Sequence, residues 1–578
     1  CPIIHIFTMC GIYGITTRDP EFIQDYIKKC SHRGPDGNDI WQDDHITLGH
    51  NLLAITSEPN QGKQPWESEH GVLTYNGEIF NYPQLIAQSN WTPKTTCDTE
   101  YLSYALSIMP FEKVNEQIDS MHAYAYYNKS NKHLILSRDH VGIKPLYYAE
   151  VPQGLVFGSE IKGLIDKVPG GRCLDEFASA AMSYSGLNPT RNTLFKNIKK
   201  VMPGETLVYD VTGKKFIGSH QKVITPNSQG HLDLEEFRHE AHETVKMSTL
   251  GLRKFGVFLS GGLDSTLVAY ELKKILGNLD SFTNEMEPNV IIGENFNDDA
   301  NCAKKFAEDF GLNHHRVKVT PDSIKESWES SMYTMEQPVY NISIPMYYQT
   351  NKYLSDQGVV VTMAGDMGDE LLGGYPKYWK LRNDPPKDFR DMIWKWMHRI
   401  KRPVQLTNKI NPRDIQDELC KVIPESVWNP EDPINSYMAV DCITQVPEEF
   451  FSRNDKFGMQ FSMEGRFPLA TKRFMKYCMN IHSKHKIGKD KADTKMPTKL
   501  AYKNYLPDYI INKEKTGWTV PLVYWLGDMK HLNDWAMTYM LKEDCLKKQI
   551  SMKNWDNKKT RVVSWMMRSW AQVYNVGS

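Results

Sequence analysis

The sequence predicts an α/β and α+β protein of two domains, of which the C-terminal one is a doubly wound parallel sheet with extra helices. Its 578 residues exceed what one hydrophobic core usually supports. From Leu234 onward short apolar runs alternate with helical patterns, which favours a parallel sheet. A polar segment with Pro226 and Gly230 indicates a linker. We therefore expect domains at 10–212 and 233–578, a linker at 213–232, and an extension at 1–9.

Composition restricts the function. The apolar fraction is 40% and the formal net charge is -1, so the chain offers no electrostatic basis for nucleic-acid or membrane binding. No apolar run has the length of a membrane helix. Ten scattered cysteines without a Cys-x-x-Cys pair fit a reducing environment better than a disulfide scaffold. We expect a cytoplasmic protein that acts on small molecules.

Cys10 is the first candidate catalytic residue. It follows Met9 and begins a Cys-Gly-Ile-Tyr-Gly segment, a pattern typical of an N-terminal nucleophile. A free α-amine has a pKa of about 8 and can serve as the base for the adjacent thiol. The alternative is an inert cysteine packed in a strand. The mechanism requires Cys10 to be terminal, so residues 1–9 are either a misassigned start or a cleaved propeptide.

Five further motifs follow Cys10 in the first third of the chain. They are Ser-His-Arg-Gly-Pro-Asp at 31–36, Tyr-Asn-Gly-Glu-Ile-Phe-Asn at 75–81, Cys-Asp-Thr-Glu at 97–100, Arg-Asp-His-Val-Gly-Ile-Lys-Pro-Leu-Tyr at 138–147 and Phe-Gly-Ser-Glu-Ile-Lys at 157–162. With Cys10 they resemble the glutaminase domain of class II glutamine amidotransferases, specifically that of the glutamine-hydrolysing asparagine synthetases. The resemblance implies a four-layer αββα N-terminal-nucleophile fold.

The same resemblance implies roles for individual residues. Cys10 would attack the side-chain amide of glutamine, and Asn76 with the Gly77 backbone would form the oxyanion hole. Asn76, Glu78 and Asp98 would bind glutamine, the two acids at its α-amino end. The alternative for Asn76-Gly77 is a plain hairpin turn, which this dipeptide favours by itself.

One position departs from the family. The family's His-x-Arg-Leu-Ser-Ile strand, whose arginine binds glutamine, reads His-Asn-Leu-Leu-Ala-Ile at 50–55, which places Leu52 at the arginine position. A bidentate clamp on the substrate carboxylate is thereby lost. Three alternatives remain: another base replaces it, glutamine binds weakly, or the chain is a glutaminase-deficient nucleotide-binding homologue.

A glycine loop follows the first strand of the second domain. The apolar run 255–259 leads into Ser260-Gly-Gly and then a helix that opens at Leu263 or Asp264, so free N–H groups and the helix dipole favour an anion. The alternative is an ordinary turn. Ser-Gly-Gly-x-Asp-Ser resembles the pyrophosphate loop of ATP pyrophosphatases. The resemblance implies that ATP is bound by Leu259, Ser260, Gly261, Gly262, Asp264 and Ser265.

A second loop, Ala-Gly-Asp-Met-Gly-Asp-Glu at 364–370, follows a later buried strand. Carboxylates beside a phosphate cradle suit Mg²⁺, which takes one or two carboxylates plus phosphate oxygens. The alternative is an acidic helix start. Similarity to asparagine synthetases implies that Ala364 and Gly365 contact ATP and that Asp264 and Asp369 hold Mg²⁺. Asp366 occupies the position of the acid that assists adenylation.

Lys495 matches a family lysine aimed at the α-phosphate, where it would stabilise the charge that develops as pyrophosphate leaves. The other lysines nearby are interpreted as a solvated basic loop. They are Lys484, Lys486, Lys489 and Lys491.

These resemblances imply ATP- and glutamine-dependent amidation of a carboxylate through an acyl-AMP intermediate, with aspartate converted to asparagine and release of AMP and pyrophosphate. The alternative acceptor is another carboxylate, such as a cell-wall amino acid or a uronic acid, which Asp366 and the unusual Leu-Ala-Thr at 469–471 suggest. The expected partners are glutamine, ATP and aspartate. The family also contains homodimers, so the resemblance adds a second copy of the chain to the candidate partners.

Overall fold

The computed structural model of the protein describes residues 10–52, 54–55, 61–287, 296–341, 343–398, 410–515, 521–541 and 558–577. The predicted extension at 1–9 lies outside these residues. Within the described chain, no helix has the length and apolar character needed to cross a membrane.

Two antiparallel sheets, each six-stranded within the described residues, form the N-terminal half. Their strand orders are β10-β8-β9-β1-β3-β2 and β12-β11-β7-β6-β5-β4. The strands are β1 Gly11–Ile15, β2 Gly37–Gln42, β3 Thr47–Leu52, β4 Trp66–Glu67, β5 Gly71–Ile79, β6 Ser120–Asn128, β7 His133–Arg138, β8 Tyr147–Val151, β9 Gly154–Gly158, β10 Lys199–Lys200, β11 Glu205–Asp210 and β12 Lys215–Gln221.

Helices cover the outer faces of both sheets. Because side chains alternate along a strand, Tyr13 of β1 faces the helix layer while Ile12 faces the second sheet. The second sheet likewise packs Tyr75 against one of the helices. The helices are α1 Pro20–Lys29, α2 Tyr82–Gln88, α3 Asp98–Ile108, α4 Phe111–Gln117 and α5 Glu176–Ser185. The four-layer αββα arrangement is the one that the family resemblance implies.

A parallel sheet with the order β15-β14-β13-β16-β17 forms the second half. Its strands are β13 Phe255–Phe258, β14 Asp280–Met286, β15 Asn313–Val319, β16 Val361–Met363 and β17 Glu464–Arg466. The chain runs outward from β13 to β15 and then returns to the other side of β13, so the topological switch lies between β13 and β16. The predicted doubly wound parallel sheet is confirmed.

Eighteen α-helices in the described chain accompany this sheet. They are α6 Leu234–Met247, α7 Leu263–Leu276, α8 Asp298–Phe310, α9 Pro321–Met335, α10 Ile344–Asp356, α11 Gly368–Leu372, α12 Pro376–Lys380, α13 Phe389–Met397, α14 Pro412–Val422, α15 Pro433–Ile443, α16 Ser452–Gln460, α17 Lys472–Asn480, α18 Ser483–Lys486, α19 Met496–Tyr502, α20 Asp508–Ile511, α21 Leu522–Asp528, α22 Lys530–Leu541 and α23 Lys558–Val573.

Two sequence expectations need correction. The segment predicted as linker contains β12, which pairs with β11 in the second antiparallel sheet, because a polar strand at a sheet edge looks like connecting chain. Lys486, interpreted as a solvated loop lysine, is fully buried, and its ammonium donates to Asn435 at 2.7 Å. Burial lowers the pKa of Lys486 to about 8.

Candidate active sites

Cys10 lies directly before β1 and lines a pocket built from several distant segments. Its side chain is nearly buried, and its carbonyl oxygen accepts a hydrogen bond from Arg33 Nε at 3.2 Å. Asn76, Gly77 and Glu78 reach the same pocket from β5, and Asp98 reaches it from the start of α3. The structure therefore brings together all five residues that the sequence assigned to glutamine chemistry.

Asn76 and Gly77 lie inside the long strand β5, where they pair with Ala123 and His122 of β6. The hairpin-turn alternative is therefore wrong. The Asn76 side-chain nitrogen is buried and has no hydrogen-bond partner within the described chain, so this donor is available to a ligand. A Cβ atom on Gly77 would lie 2.1 Å from the Met121 carbonyl oxygen, which explains the glycine.

Glu78 and Asp98 are buried acids beside the nucleophile. Asp98 accepts hydrogen bonds from the Tyr75 hydroxyl at 2.9 Å and from the Ile79 backbone at 3.0 Å. Burial raises the pKa of Asp98 to about 6 in spite of these bonds. Burial, followed by repulsion from Asp98, raises the pKa of Glu78 well above its usual range, although Arg466 lies 3.0 Å away.

Leu52 is buried and contributes an apolar wall to this pocket, together with Ile55. None of the pocket-lining residues in the described chain is a lysine or an arginine. Glu464 of β17 also lines the pocket, a contact that the sequence analysis missed. Because 386 positions separate Glu464 from Glu78 (464 minus 78), no local pattern could have revealed it.

The first glycine loop connects β13 to α7, as predicted, and lies at the topological switch. The hydroxyls of Ser260 and Ser265 lie 2.9 Å apart, and the Ser265 hydroxyl also donates to the Gly262 carbonyl at 3.0 Å. Gly261 has a φ of +73°, and a Cβ there would lie 2.5 Å from the Asp299 carbonyl oxygen. The positive φ of Gly261 and its lack of a Cβ atom keep the loop compact at the N-terminus of α7. Free N–H groups at this helix N-terminus favour an anion.

The second loop leaves β16, the neighbour of β13, and leads into the short helix α11. The two loops pack closely, because a Cβ on Gly365 would lie 2.6 Å from the Ser265 nitrogen and one on Gly368 would lie 2.5 Å from the Asp264 carboxyl carbon. Met367, which lies between Gly365 and Gly368 in the second loop, adopts a φ of +85°, an unusual conformation for a side-chain-bearing residue. Ala364, next to the strand end, is buried.

Lys495 joins the two loops electrostatically. Its ammonium contacts the Asp264 carboxylate and lies 2.6 Å from that of Asp369, and Lys515 also pairs with Asp369. Burial alone would raise the pKa of Asp369, but the two lysines hold it well below its usual range. For Asp264 burial prevails and raises the pKa. Lys495 itself has a φ of +55°, so its backbone is held in a sparsely populated conformation at this site.

Asp366 faces a group of residues that the sequence analysis did not assign to a site. Asn454 of α16 donates to its carboxylate at 3.4 Å, and the Arg453 guanidinium lies 3.9 Å away. Burial raises the pKa of Asp366, although Arg453 opposes the shift. Arg453 stacks 3.9 Å from the Tyr347 ring, and its Nε is buried without a hydrogen-bond partner among the described residues.

Helix α16 also contacts the residues around the pocket beside Cys10. This amide pocket is lined by Cys10, Asn76, Glu78 and Asp98, among others. Asp455, the residue after Asn454, lies 2.9 Å from Arg33, which in turn holds the Cys10 carbonyl. Burial opposes the charge of Arg33, but Asp455 and Glu160 raise its pKa above the usual range. One turn of α16 therefore joins the surroundings of Asp366 to those of Cys10.

Comparison with known proteins identifies the class of enzyme that combines these two sites. Residues 236–572 match the family described as Asparagine synthase, and residues 9–219 match the one described as Glutamine amidotransferase domain. The two matches define a class of enzyme in which an amidotransferase half precedes a synthase half. Because the first match covers more than half of the chain, the protein belongs to the asparagine synthase family.

Curated relatives align over most of the chain. The asparagine synthetase [glutamine-hydrolyzing] 1 of Bacillus subtilis is 25% identical over 582 residues, which cover 91% of this chain and 89% of that protein. The asparagine synthetase [glutamine-hydrolyzing] 3 of the same organism is 24% identical, and the alignment covers 93% of this chain and 91% of that protein. The asparagine synthetase [glutamine-hydrolyzing] 2 of rice, Oryza sativa, is 24% identical, and the alignment covers 93% of this chain and 80% of that protein. The resemblance drawn from the motifs is confirmed.

Proposed function

We propose that the protein is a glutamine-dependent ligase that converts aspartate to asparagine at the expense of ATP, which is cleaved to AMP and pyrophosphate. The observation that carries this proposal is the pairing of the two glycine loops at adjacent parallel strands, with Lys495 between their acids. Such a cradle suits a nucleotide whose phosphates need both N–H donors and a cation. The pocket beside Cys10 supplies the nitrogen.

In the amide pocket, Cys10 attacks the side-chain amide carbon of glutamine. The unpartnered Asn76 side-chain nitrogen and the Gly77 backbone stabilise the oxyanion, and Glu78 with Asp98 binds the α-ammonium group. Loss of ammonia leaves a thioester, which water hydrolyses to glutamate. The α-amine of Cys10 serves as the base, so we propose that the active chain begins at Cys10.

The ammonia then has to reach the other site. The side chains of Cys10, Leu52 and Ile55 form one apolar cluster with Val361 of β16 and Met459 of α16. An apolar passage suits neutral ammonia and excludes the water that would protonate it or hydrolyse the adenylate. This cluster supports internal transfer from the amide pocket towards the parallel sheet.

In the second site, the β-carboxylate of aspartate attacks the α-phosphorus of ATP. The loop atoms of 259–265 with Ala364 and Gly365 bind the phosphates, and Lys495 stabilises the charge on the departing pyrophosphate. Asp366 assists adenylation. Ammonia then attacks the acyl carbon, and AMP leaves with the electron pair of the acyl–oxygen bond.

Mg²⁺ fits the acids between the loops. No group of three or more His, Cys, Asp or Glu side chains in the described ranges is placed to hold a metal alone, but Mg²⁺ needs only one or two carboxylates beside phosphate oxygens. Asp264 Oδ1 is buried and has no hydrogen-bond partner within those ranges, which leaves it free as a ligand. We propose that Asp264 and Asp369 hold Mg²⁺, which would neutralise charge on the phosphates.

Arg453 supports aspartate over a uronic acid as the acceptor. An unpartnered buried guanidinium nitrogen near Asp366 provides an anion site, and aspartate carries a second carboxylate that can use it. A uronic acid has no carboxylate beyond the one to be activated. The unusual 469–471 segment has structural contacts instead: Thr471 caps α17, and the Ala470 carbonyl lies 2.9 Å from His140 Nε2.

The test is pyrophosphate release by the purified protein with ATP, Mg²⁺, glutamine and each candidate acid. We expect release that depends on aspartate, with asparagine and AMP formed in equal amounts. Release that depends on a uronic acid or a cell-wall amino acid but not on aspartate would reject asparagine synthesis. N-terminal mass spectrometry of active protein should find Cys10 as the first residue.

A further inference from the structure

The described side chains that line the amide pocket offer no cationic partner for the carboxylate of glutamine. Glu78, Asp98 and Glu464 line it, and no lysine or arginine of the described chain does so. Glutamine carries an ammonium group, which these acids can bind, and a carboxylate, which they repel. The pocket therefore needs a cation for the substrate carboxylate if it is to hold glutamine.

Arg466, although close, is committed elsewhere. It is fully buried, and its guanidinium pairs with Glu464 at 2.6 Å and with Glu78 at 3.0 Å. The Ser248 carbonyl accepts another of its hydrogen bonds at 2.8 Å, and that of Leu250 accepts a further one. These partners leave Arg466 as the counter-ion of the pocket acids rather than of a substrate.

Lys63 is placed at the rim of the pocket by its neighbours. It lies between Gly62 and Gln64, both of which line the pocket. Gln64 is anchored there, because its Oε1 accepts from the Tyr75 backbone at 2.7 Å and its Nε2 donates to Thr99 at 3.3 Å. Since adjacent Cα atoms lie about 3.8 Å apart, the Lys63 backbone is fixed at the pocket edge.

The Lys63 side chain is exposed and, among the described residues, is held by a single surface ion pair. It is 72% exposed and pairs with Asp39 at 2.9 Å, on the edge strand β2 beside the strand that carries Leu52. Exposed ion pairs of this kind are weak, and a four-carbon stem allows reorientation. We propose that Lys63 leaves Asp39 when glutamine enters and binds the α-carboxylate of the substrate. This inference rests on the proposed glutaminase function of the pocket.

Arg253 is the rival cation. Its Nε donates to the Ala54 carbonyl at 3.1 Å, and its guanidinium lies 3.5 Å from the buried Asp36 carboxylate. Moving it towards a substrate would leave Asp36 buried without its counter-ion, which is costly. The Asp39 partner of Lys63 is 42% exposed and water can solvate it, so the structure favours Lys63.

The test compares glutamine with L-glutaminamide, which keeps the ammonium and the side-chain amide but lacks the carboxylate. Lys63→Ala should raise the KM for glutamine about tenfold with little change in kcat, as expected for one lost charged hydrogen bond. The KM for glutaminamide should stay the same. Lys63→Arg should retain glutamine binding, and Lys113→Ala, which removes a similarly exposed ion-paired lysine, should change neither KM.

Two further variants complete the test. Leu52→Arg in the Lys63→Ala background should restore the KM for glutamine. The inference is overturned if Lys63→Ala leaves the glutamine KM unchanged, if it impairs both donors equally, or if Arg253→Ala gives the selective effect instead. Calorimetric binding of glutamine to Cys10→Ala protein with and without Lys63→Ala gives a readout independent of turnover. Wild-type protein that neither binds nor hydrolyses glutamine would reject the proposed function itself.

Discussion

Arg466 and Glu78 form a buried ion pair at 3.0 Å that joins the parallel sheet of one half to the amide pocket of the other. The same guanidinium lies 2.6 Å from Glu464, a second pocket acid. Because Arg466 is the counter-ion of two buried carboxylates, it stabilises both the pocket and the contact between the halves.

Arg466→Met should therefore destabilise the protein by about 3–5 kcal/mol, because it leaves buried carboxylates without their cation. Urea unfolding with and without the substitution measures this loss. The matched control is Arg473→Met, which removes a more exposed arginine paired with Glu240 at 2.6 Å and should cost about 1 kcal/mol or less. Equal losses in both variants would contradict the assigned importance of the Arg466 pair.

Glutamine binding should weaken in acid. Burial raises the pKa of Asp98 to about 6, so in the free protein this carboxyl becomes neutral as the pH falls through 6 and no longer attracts an ammonium group. We expect the KM for glutamine to rise up to about tenfold per pH unit below 6. Asp98→Asn should raise the KM at pH 8 and remove the part of this dependence that belongs to Asp98, leaving only the titration of Glu78. Ammonia-dependent synthesis at a constant concentration of free NH₃, which bypasses the pocket, provides the control over the same pH range.

Gly77 should tolerate no side chain. A Cβ atom there would lie 2.1 Å from the Met121 carbonyl oxygen, so Gly77→Ala forces the strands apart. The substitution should lower the free energy of unfolding by about 1–3 kcal/mol and should also reduce glutaminase activity. Gly218→Ala is the control, because no atom of the described residues lies within 4 Å of the place that a Cβ atom would take on this strand residue. Wild-type stability and full glutaminase activity in Gly77→Ala would contradict the predicted clash with the Met121 carbonyl.

Cys10→Ala should separate the two reactions. The substitution removes the thiol that attacks glutamine but leaves the second site intact, so asparagine formation from glutamine should fall to background while formation from ammonium persists. Rates with saturating glutamine and with ammonium salts measure the two routes; a glutamine concentration on the order of 10 mM is about ten times a typical upper KM. Residual glutamine hydrolysis at the wild-type rate would mean that another nucleophile acts.

The parts of both sites that depend on neighbouring residues were predictable from sequence. Ser260 to Ser265 form a loop between a strand and a helix, as a short apolar run followed by two glycines indicates. Asn76-Gly77 shows the limit of local patterns, since the dipeptide favours a turn and yet lies within β5, where pairing with β6 overrides that preference.

Contacts between the halves were beyond sequence reasoning. Glu464 and Arg466 lie two residues apart in β17, but only the packing of β17 against the amide pocket shows that Arg466 balances the charge of Glu78. The prediction that Lys486 is solvated was wrong for the same reason. A lysine in a basic run is normally solvated, and its burial against Asn435 follows from how α18 packs, which no local pattern records.

Lys495→Met should abolish the chemistry of the second site. The ammonium of Lys495 is nearly buried between Asp264 and Asp369, at the position where the two loops meet. Its removal takes away the cation proposed to stabilise the departing pyrophosphate, which should lower the rate of pyrophosphate release about 100- to 1,000-fold. Lys499→Met, in helix α19 that begins directly after Lys495, removes a lysine that donates to the Ala492 carbonyl and should have little effect.

The expected pattern discriminates a catalytic from a structural role. If Lys495 acts on the phosphates, its substitution should stop adenylation with every acceptor while glutamine hydrolysis at Cys10 continues, because the lysine lies in the second site alone. If it only neutralises the acids, Lys495→Arg, which keeps a cation between Asp264 and Asp369, should retain both stability and pyrophosphate release. Wild-type stability of Lys495→Arg without pyrophosphate release is therefore the result that supports the proposed role.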